Sequence, residues 1–292
     1  MEMFVECTNA ASMVKTNGLK SLNVTLEEMK KFLGIWIYMG VVKLKSMRDY
    51  WAADTRVPQV AEIMSFNRFQ KIKSTFHVYD KTKVDCLDPT DRFRKVADFL
   101  NSIRMKCKQL DQEDILSVDE SMVPYKGVFA GTLRQFIKTK PHRFGFKFFN
   151  LCGTSGMVYD FLPYAGQATK YNLTPEEQRL KLGVGADTVL TLVKSIESPE
   201  NAQVYFDNYF TGIPLIRILK NNYSIVAAGT IRANRTDGCP LKSDKDLQKL
   251  GRGSYDIKVT EDGVAVMKWF DNNFVHVAST VAGIHPLHEV NR

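Results

Sequence analysis

Ile115-Leu-Ser-Val-Asp119 marks the point at which the sequence changes from helical to strand-like patterning. The run is apolar, short, and ends on a carboxylate. A second run of this kind, Gln203-Val-Tyr-Phe-Asp207, also ends on an aspartate. Short apolar runs bounded by polar residues predict buried strands. We therefore expect both runs to be strands; if they are neighbours in one sheet, their two carboxylates converge.

The segments around these two runs predict an α/β fold. Apolar runs at 145–152 and 156–164 flank Gly153-Thr-Ser-Gly156, which is typical of a hairpin turn. Helices are predicted at 187–196 and 213–220, and a further strand at 224–229. Strands followed by alternating helices and strands indicate an α/β fold built on a mixed sheet.

The chain on either side of this region has a different character. Residues 1–110 follow helical periodicity: Thr25-Leu-Glu-Glu28 fits a capping box, and further helices are predicted near 65–76 and 92–110. Residues 236–292 begin with a polar stretch and continue with strands near 253–260, 263–270 and 274–280. We therefore predict a helical region at 1–110, the first part of an α/β core at 111–235 and a β-rich module at 236–292.

Charge and composition narrow the classes of partner. Lys and Arg outnumber Asp and Glu by 40 to 32, so the 292-residue chain has a net charge of +8 and an isoelectric point near 9.1. A basic balance favours a polyanionic partner without identifying it. The longest apolar run, residues 32–42, is shorter than the roughly 20 residues that span a bilayer. The five scattered cysteines favour reduced thiols. We expect a soluble, intracellular protein with no membrane partner.

Asp119 and Asp207 are the candidate metal ligands. Ligands of open α/β sheets gather at the carboxyl ends of strands, where both residues are predicted. Two converging carboxylates suit Mg²⁺ or Mn²⁺, and paired metals roughly 4 Å apart assist phosphodiester chemistry. The alternative is that each aspartate only caps the turn after its strand.

Several separate motifs carry a resemblance to a known family. Segments similar to the piggyBac-type transposase family are Val118-Asp-Glu-Ser-Met-Val-Pro-Tyr-Lys-Gly127, Leu133-Arg-Gln-Phe-Ile-Lys-Thr-Lys-Pro-His-Arg-Phe-Gly-Phe-Lys147 and Tyr205-Phe-Asp-Asn-Tyr-Phe-Thr211. Residues 229–235, 238–242 and 251–255 add to them, as do Phe32-Leu-Gly-Ile35 and Arg48-Asp-Tyr-Trp51. The motifs follow the family's order along nearly the whole chain.

The resemblance implies an RNase H-like core with three catalytic aspartates, a helical dimerisation and DNA-binding region before it, and a β-rich insertion within it. Asp119 corresponds to the first aspartate and Asp207 to the second, which implies that their strands are adjacent in the sheet. The third lies in a Gly-Gly-Val-Asp stretch that this sequence does not contain. The family's cysteine-rich C-terminal domain has no counterpart in this sequence either. The expected partners are DNA and a second copy of the chain, and the expected location is the nucleus. The expected cofactor is Mg²⁺ or Mn²⁺, and the missing third carboxylate should weaken its binding.

A basic segment lies between the two aspartates. Next to a carboxylate site, its side chains could neutralise DNA phosphates. The alternative is a solvated surface that keeps the protein in solution. The candidate DNA-binding residues are Lys126, Arg134, Lys138, Lys140, Arg143, Lys147, Arg232 and Arg235.

Three other features have structural interpretations. Asp271 lies in Asp271-Asn-Asn273, which is typical of a hairpin turn, so we expect it exposed and far from the other aspartates. His285-Pro-Leu-His288 has a metal-binding spacing, but Pro286 disfavours the helix that such a site needs. Trp36 and Trp51 are expected to pack in a core.

Two functions follow for this chain. The first is a cut-and-paste transposase region that is inactive as this chain stands, because the third carboxylate is missing. The second is a domesticated DNA-binding or protein-interaction module that has lost catalysis.

Overall fold

The computed structural model describes residues 1–18, 20–82, 87–127, 130–138 and 140–281. They form two compact units, one running from Met1 to Ser102 and the other beginning at Ile103. The predicted module boundaries at residues 110 and 235 stay predictions.

The first unit is helical. Met29, Phe32 and Ile35 on one helix pack with Phe69 and Ile72 on another to form its core. Trp36 and Trp51 pack against this core. The helices are α1 (Glu2–Lys15), α2 (Leu26–Val41), α3 (Pro58–Ala61), α4 (Phe66–Lys73) and the start of α5 (Ala97–Cys107).

The start of α2 carries the predicted threonine cap and an additional ion pair. The Thr25 side chain accepts a hydrogen bond from the Glu28 amide at 3.2 Å, as predicted. The Glu28 carboxylate also accepts two hydrogen bonds from the Arg68 guanidinium, at 2.5 and 2.6 Å. This bidentate bond to a cation, together with a weaker contribution from the Thr25 backbone, lowers the pKa of Glu28.

The second unit is built on one mixed sheet. Its described strands are β1 (Ile115–Pro124), β2 (Gln135–Phe136), β3 (Phe144–Gly153), β4 (Val158–Pro163), β5 (Gln203–Phe206), β6 (Val226–Thr230), β7 (Tyr255–Val259), β8 (Ala265–Phe270) and β9 (Phe274–Ser279). The order is β2-β3-β1-β5-β6-β9-β8-β7, and β4 also pairs with β3. β1, β5 and β6 are mutually parallel, and the other pairings are antiparallel. The mixed α/β fold expected from the sequence is confirmed.

One face of this sheet is covered by helices. The remaining described helices are α6 (Pro175–Leu180), α7 (Val184–Val193), α8 (Ile213–Tyr223) and α9 (Asp244–Leu250). Leu116 and Val118 of β1 belong to one buried cluster with Leu190 of α7 and with Ile216 and Leu219 of α8. Alternate residues along each strand therefore point into this core or away from it.

Two features of the sheet were not predicted. β1 does not end at Asp119 but continues to Pro124, because β3 pairs with it from Leu116 opposite Gly153 to Pro124 opposite Gly145. The strands β7, β8 and β9 continue the core sheet, because β9 pairs with β6. In the described part of the chain, no helix is long and apolar enough to cross a membrane.

Candidate functional site

Asp119 and Asp207 follow equivalent positions on two adjacent strands. β1 and β5 are parallel, and their last paired residues are Val118 and Phe206. Each aspartate is the next residue along its strand. The predicted adjacency of the two strands is confirmed, whereas the assignment of these aspartates as metal ligands stays a prediction.

The two aspartates also project from the same side of the sheet. Val118 and Phe206 are both buried in the helix-covered core. Because side chains alternate along a strand, Asp119 and Asp207 point to the opposite face, and both are exposed. Two carboxylates therefore face solvent from neighbouring strands, where a cation and a large substrate can reach them.

The turn after β5 fixes the position of Asp207. Its carboxylate accepts a hydrogen bond from the Tyr209 amide at 2.8 Å, and its carbonyl accepts one from the Thr211 hydroxyl at 2.7 Å. Gly185 in the first turn of α7 lies against this turn. A Cβ at Gly185 would lie 2.6 Å from the Tyr209 carbonyl oxygen, so only glycine permits this close approach.

Asp119 is held more simply, within a continuous strand. Its carboxylate accepts a hydrogen bond from the Glu120 amide at 2.7 Å. It lies opposite Asn150 of β3, whose side chain donates to the Ser121 hydroxyl at 2.7 Å. Within the described ranges, no group of three or more His, Cys, Asp or Glu side chains could hold a metal ion.

Lys140 brings positive charge to the carboxylates. Its ammonium lies 3.1 Å from a carboxylate oxygen of Glu120 and donates to the Glu120 carbonyl at 3.2 Å. Burial alone would lower the pKa of Lys140, but Glu120, Asp119 and Asp207 outweigh burial and raise that pKa. Glu120 was not predicted as a site residue. Its position directly after Asp119 was the available signal.

Lys147 is enclosed by aromatic rings next to the same carboxylates. Its ammonium lies 4.5 Å from the ring centre of Phe149, 4.7 Å from that of Tyr209 and 5.5 Å from that of Tyr164. Burial lowers the pKa of Lys147, and the nearby Glu120, Asp207 and Asp119 offset part of this effect. Tyr209 therefore contacts the lysine as well as bonding to Asp207, a role that the sequence did not indicate.

Of the other predicted DNA-binding residues, Arg134 is half-buried against the Phe144 ring, and the remaining five fall into two groups. Lys126, Lys138 and Arg143 are exposed in the segment between β1 and β3, which contains β2.

Arg232 and Arg235 lie beside the turn after β5. One terminal nitrogen of Arg235 donates to three carbonyl oxygens of that turn, those of Asn208 at 3.3 Å, Tyr209 at 3.1 Å and Thr211 at 3.3 Å. Arg232 donates to the Asn208 side chain at 3.4 Å. Both arginines thus have structural partners.

Asp271 lies away from the two site aspartates. It begins the turn between β8 and β9, as predicted, and β6 separates β9 from β5. The prediction that it is exposed is wrong: its side chain is 16% exposed and pairs with the Arg252 guanidinium at 2.5 Å. His285 and His288 lie outside the described residues.

Comparison with known proteins defines the class of this fold and site. The family model described as Transposase IS4 matches residues 1–292, which is the whole chain. The chain is 35% identical, over 100% of its length, to the human (Homo sapiens) PiggyBac transposable element-derived protein 3. It is 34% identical, over 93% of its length, to the human PiggyBac transposable element-derived protein 2.

The chain therefore belongs to the piggyBac-type transposase family. It spans 49% and 45% of the lengths of these two relatives. A solved piggyBac transposase, determined in a synaptic complex with hairpin DNA, has the same fold: the TM-score is 0.81, with 22% sequence identity. The match covers 99% of this chain and 59% of that one.

Proposed function

We propose that this chain contributes part of the catalytic region of a DNA transposase, with an RNase H-like core. The observation that carries the proposal is the placement of Asp119 and Asp207 directly after register-paired residues of adjacent parallel strands, on the open face of the sheet. The strand order β4-β3-β1-β5-β6 supports the assignment of the core. The transposase-derived relatives support the class of reaction.

The two aspartates fit a hard divalent cation. Both offer carboxylate oxygens, the preferred ligands of Mg²⁺ and Mn²⁺, from one solvent-accessible face. Mg²⁺ usually binds one or two carboxylates and completes its shell with water and phosphate oxygens. When bound, the cation supplies activation of a water or a DNA 3′-hydroxyl and stabilises the charge on the phosphodiester.

The lysines and arginines around the two aspartates have a separate proposed role: they bind DNA phosphates. Lys126, Lys138 and Arg143 are exposed and have room for a phosphate. Lys140 and Lys147 lie close enough to Asp119 and Asp207 for the two carboxylates to favour the charged form of each lysine. A strand bound by the exposed cations would therefore pass beside the carboxylates. The solved piggyBac transposase, which was determined with hairpin DNA, supports DNA as the partner.

The proposal extends to the activity of the 292-residue chain by itself. The described residues supply two carboxylates and no group of three metal ligands, so we propose that the isolated chain binds DNA without cleaving it. It acts in the nucleus, where its substrate is, and forms a homodimer through its helical unit. Exposed apolar side chains on α2, Ile37 and Val41, are consistent with such a contact.

Salt-titrated binding to duplex DNA, run beside a nicking assay with Mg²⁺ or Mn²⁺, tests this function. Each phosphate neutralised contributes about −0.9 to the slope of log affinity against log salt. Changing Lys138, Lys140 and Arg143 together to Ala should reduce the slope by roughly 2 to 3. A matched control is the change of Lys245 and Lys249 on α9 to Ala, which should leave the slope as it is.

The two assays fail in different ways. Binding that does not depend on salt would remove the DNA-contact role of the basic residues. Nicking that disappears in Asp119→Ala would show that two carboxylates suffice, and the isolated chain would then be an active nuclease. Background nicking with steep salt dependence is the expected result.

A further inference from the structure

Two exposed phenylalanines lie together on the β2–β3 hairpin. Phe136 and Phe144 are opposite one another in the strand register, and their ring centres are 4.8 Å apart. Phe136 is 54% exposed and Phe144 is 46% exposed. Large aromatic side chains usually contribute to a core, and neither ring belongs to either of the two buried clusters that the described residues form.

Arg134 supports this pair from one side. Its guanidinium carbon lies 4.2 Å from the centre of the Phe144 ring, within the range of a cation–π contact. The Nε of Arg134 is buried and has no hydrogen-bond partner among the described residues. The arginine is thus placed by the ring rather than by a carboxylate. Phe136, on the far side of Phe144 from β1, keeps the more exposed ring.

Positive charge surrounds the aromatic pair. Lys138 follows Phe136 by two residues and is exposed, and Arg143 directly precedes Phe144 and is also exposed. Lys140 lies between the tip of this hairpin and the carboxylate of Glu120, next to Asp119. An occupant of this surface therefore meets apolar ring faces and cations together, on the hairpin from which Lys140 reaches Glu120.

A DNA strand with an unpaired base has the matching chemistry. Its phosphates are anionic, and the base offers a planar face for stacking. In a fully paired duplex both faces of each base are already stacked, so the base must be unpaired or displaced to reach a protein ring. Stacking on aromatic rings within a cationic groove is a general means of binding single strands.

We propose that Phe136 and Phe144 form a stacking platform for an unpaired base of the DNA strand whose phosphates contact the same hairpin. The inference rests on the proposed DNA-binding function and goes beyond it by naming the form of DNA that is preferred. The hairpin holds an unpaired nucleotide between its rings and its exposed cations, and binding selects DNA with locally open bases over continuous duplex.

The test compares two DNAs of equal length and charge: a continuous duplex and the same duplex with a short unpaired bubble. Binding of the 292-residue chain is followed by fluorescence anisotropy across a salt series. Phe136→Ala should lower the affinity for bubble DNA by roughly 10-fold, a typical effect of removing one stacking ring. Duplex affinity should stay the same. The salt slope should also be unchanged, because no charge is removed.

Two further variants serve as controls. Phe136→Tyr keeps an aromatic face and should retain the affinity for bubble DNA. Val259→Ala removes an exposed apolar side chain on β7, where 63% of the residue is accessible, and should change neither affinity. Thermal unfolding of Phe136→Ala should be close to that of the parent chain, because Phe136 is exposed and lies outside both buried clusters.

The outcomes separate the platform from the function on which it rests. If Phe136→Ala binds bubble DNA as the parent chain does, or weakens both DNAs equally, the stacking platform is wrong while DNA binding stands. If neither DNA shows salt-sensitive binding, the proposed DNA-binding function fails and the platform fails with it.

Discussion

Arg235 shows that a cation beside a candidate site can stabilise the protein structure as well as bind a ligand. From sequence it is one of eight basic residues predicted to bind phosphate. In the structure one terminal nitrogen reaches the carbonyls of Asn208, Tyr209 and Thr211, which form the turn after Asp207. The sequence could not show this, because the arginine lies 24 to 27 residues further along the chain.

Replacement of Arg235 should therefore affect stability first. We expect Arg235→Ala to lower the free energy of unfolding by about 1 kcal/mol, because three carbonyls lose a charged donor at an exposed position. Arg235→Lys keeps the charge and offers three N–H donors on one nitrogen, so it should recover most of the loss. Urea unfolding measures both. An Ala variant that unfolds like the parent chain but binds DNA with a smaller salt slope would favour the phosphate role instead.

Asp271 shows a similar limit to what the sequence can predict for a single side chain. Asp271-Asn-Asn273 predicts a hairpin turn, and the turn lies between β8 and β9 as expected. The covering of the Asp271 side chain could not be predicted, because its partner Arg252 comes next to it only when the strands pair. Local sequence determines the turn type, whereas the partner depends on the tertiary fold.

At the scale of elements, the two aspartate-bearing strands were the most predictable part of the molecule. Alternation of buried and exposed residues in Ile115–Asp119 and Gln203–Asp207 follows from the apolar pattern. The adjacency of the two strands follows from the family resemblance, and their parallel pairing was not predicted. The length of β1 could not be predicted, because Glu120 to Pro124 are polar or mixed and become a strand only through β3.

The helix α5 shows the opposite error. Apolar residues at helical spacing predicted a core-facing helix over 92–110, but α5 spans Ala97–Cys107 and has no buried residue. Ion pairs anchor the end of this helix: Arg104 of α5 and Lys108, which directly follows it, both pair with the fully buried Asp160 of β4. Helical periodicity identified the helix but not the interaction that anchors it.

Glu177 joins three helices and gives the fold a pH-dependent element. Its side chain, 4% exposed, accepts hydrogen bonds from the Thr174 amide before α6, from Lys194 after α7 and from the Tyr223 hydroxyl at the end of α8. Burial favours the protonated form, but the bonds from Tyr223, Lys194 and Thr174 outweigh it and lower the pKa of Glu177. The carboxylate form is therefore the one that stabilises the helices.

The sign of the pH effect follows from that lowered pKa. The stabilisation is complete above the ordinary value of 4.5 and is lost as the pH falls through the lower value in the folded state. Glu177→Gln should cost about 1–3 kcal/mol at pH 7, and the gap from the parent chain should narrow below about pH 4.5. Urea unfolding at several pH values checks this. A gap that stays constant down to about pH 3 would contradict the ionised role of Glu177.

At the scale of the whole molecule, the α/β class and the order of its central elements followed from the sequence, and the extent of the sheet did not. Strands near 253–280 were predicted as a β-rich module inserted in, or appended to, the core, and in the structure β9 pairs with β6 and extends the core sheet by three strands. Residues 229 and 278 are brought together across nearly fifty positions of chain. A local pattern carries no information on a pairing at that distance.

The net charge of +8 is also a property of the whole molecule, and it does not by itself specify DNA. The proposal of DNA as the partner rests on where the charge lies: exposed cations lie between β1 and β3, and the carboxylates of Asp119 and Asp207 face solvent from the same sheet. The proposed function therefore depends on whether these two aspartates act together on one cation.

Calorimetric titration with Mn²⁺ measures that dependence most directly. The chain should bind Mn²⁺ weakly at one site, and Asp119→Asn or Asp207→Asn should each weaken it by about 10-fold or more, since even groups that only orient a ligand contribute roughly 10–100-fold. Asp262→Asn, at an exposed turn paired with Arg217, is the matched control and should bind like the parent chain. Equal Mn²⁺ affinity in all four proteins, or loss in only one of the two site variants, would contradict a cation shared by Asp119 and Asp207.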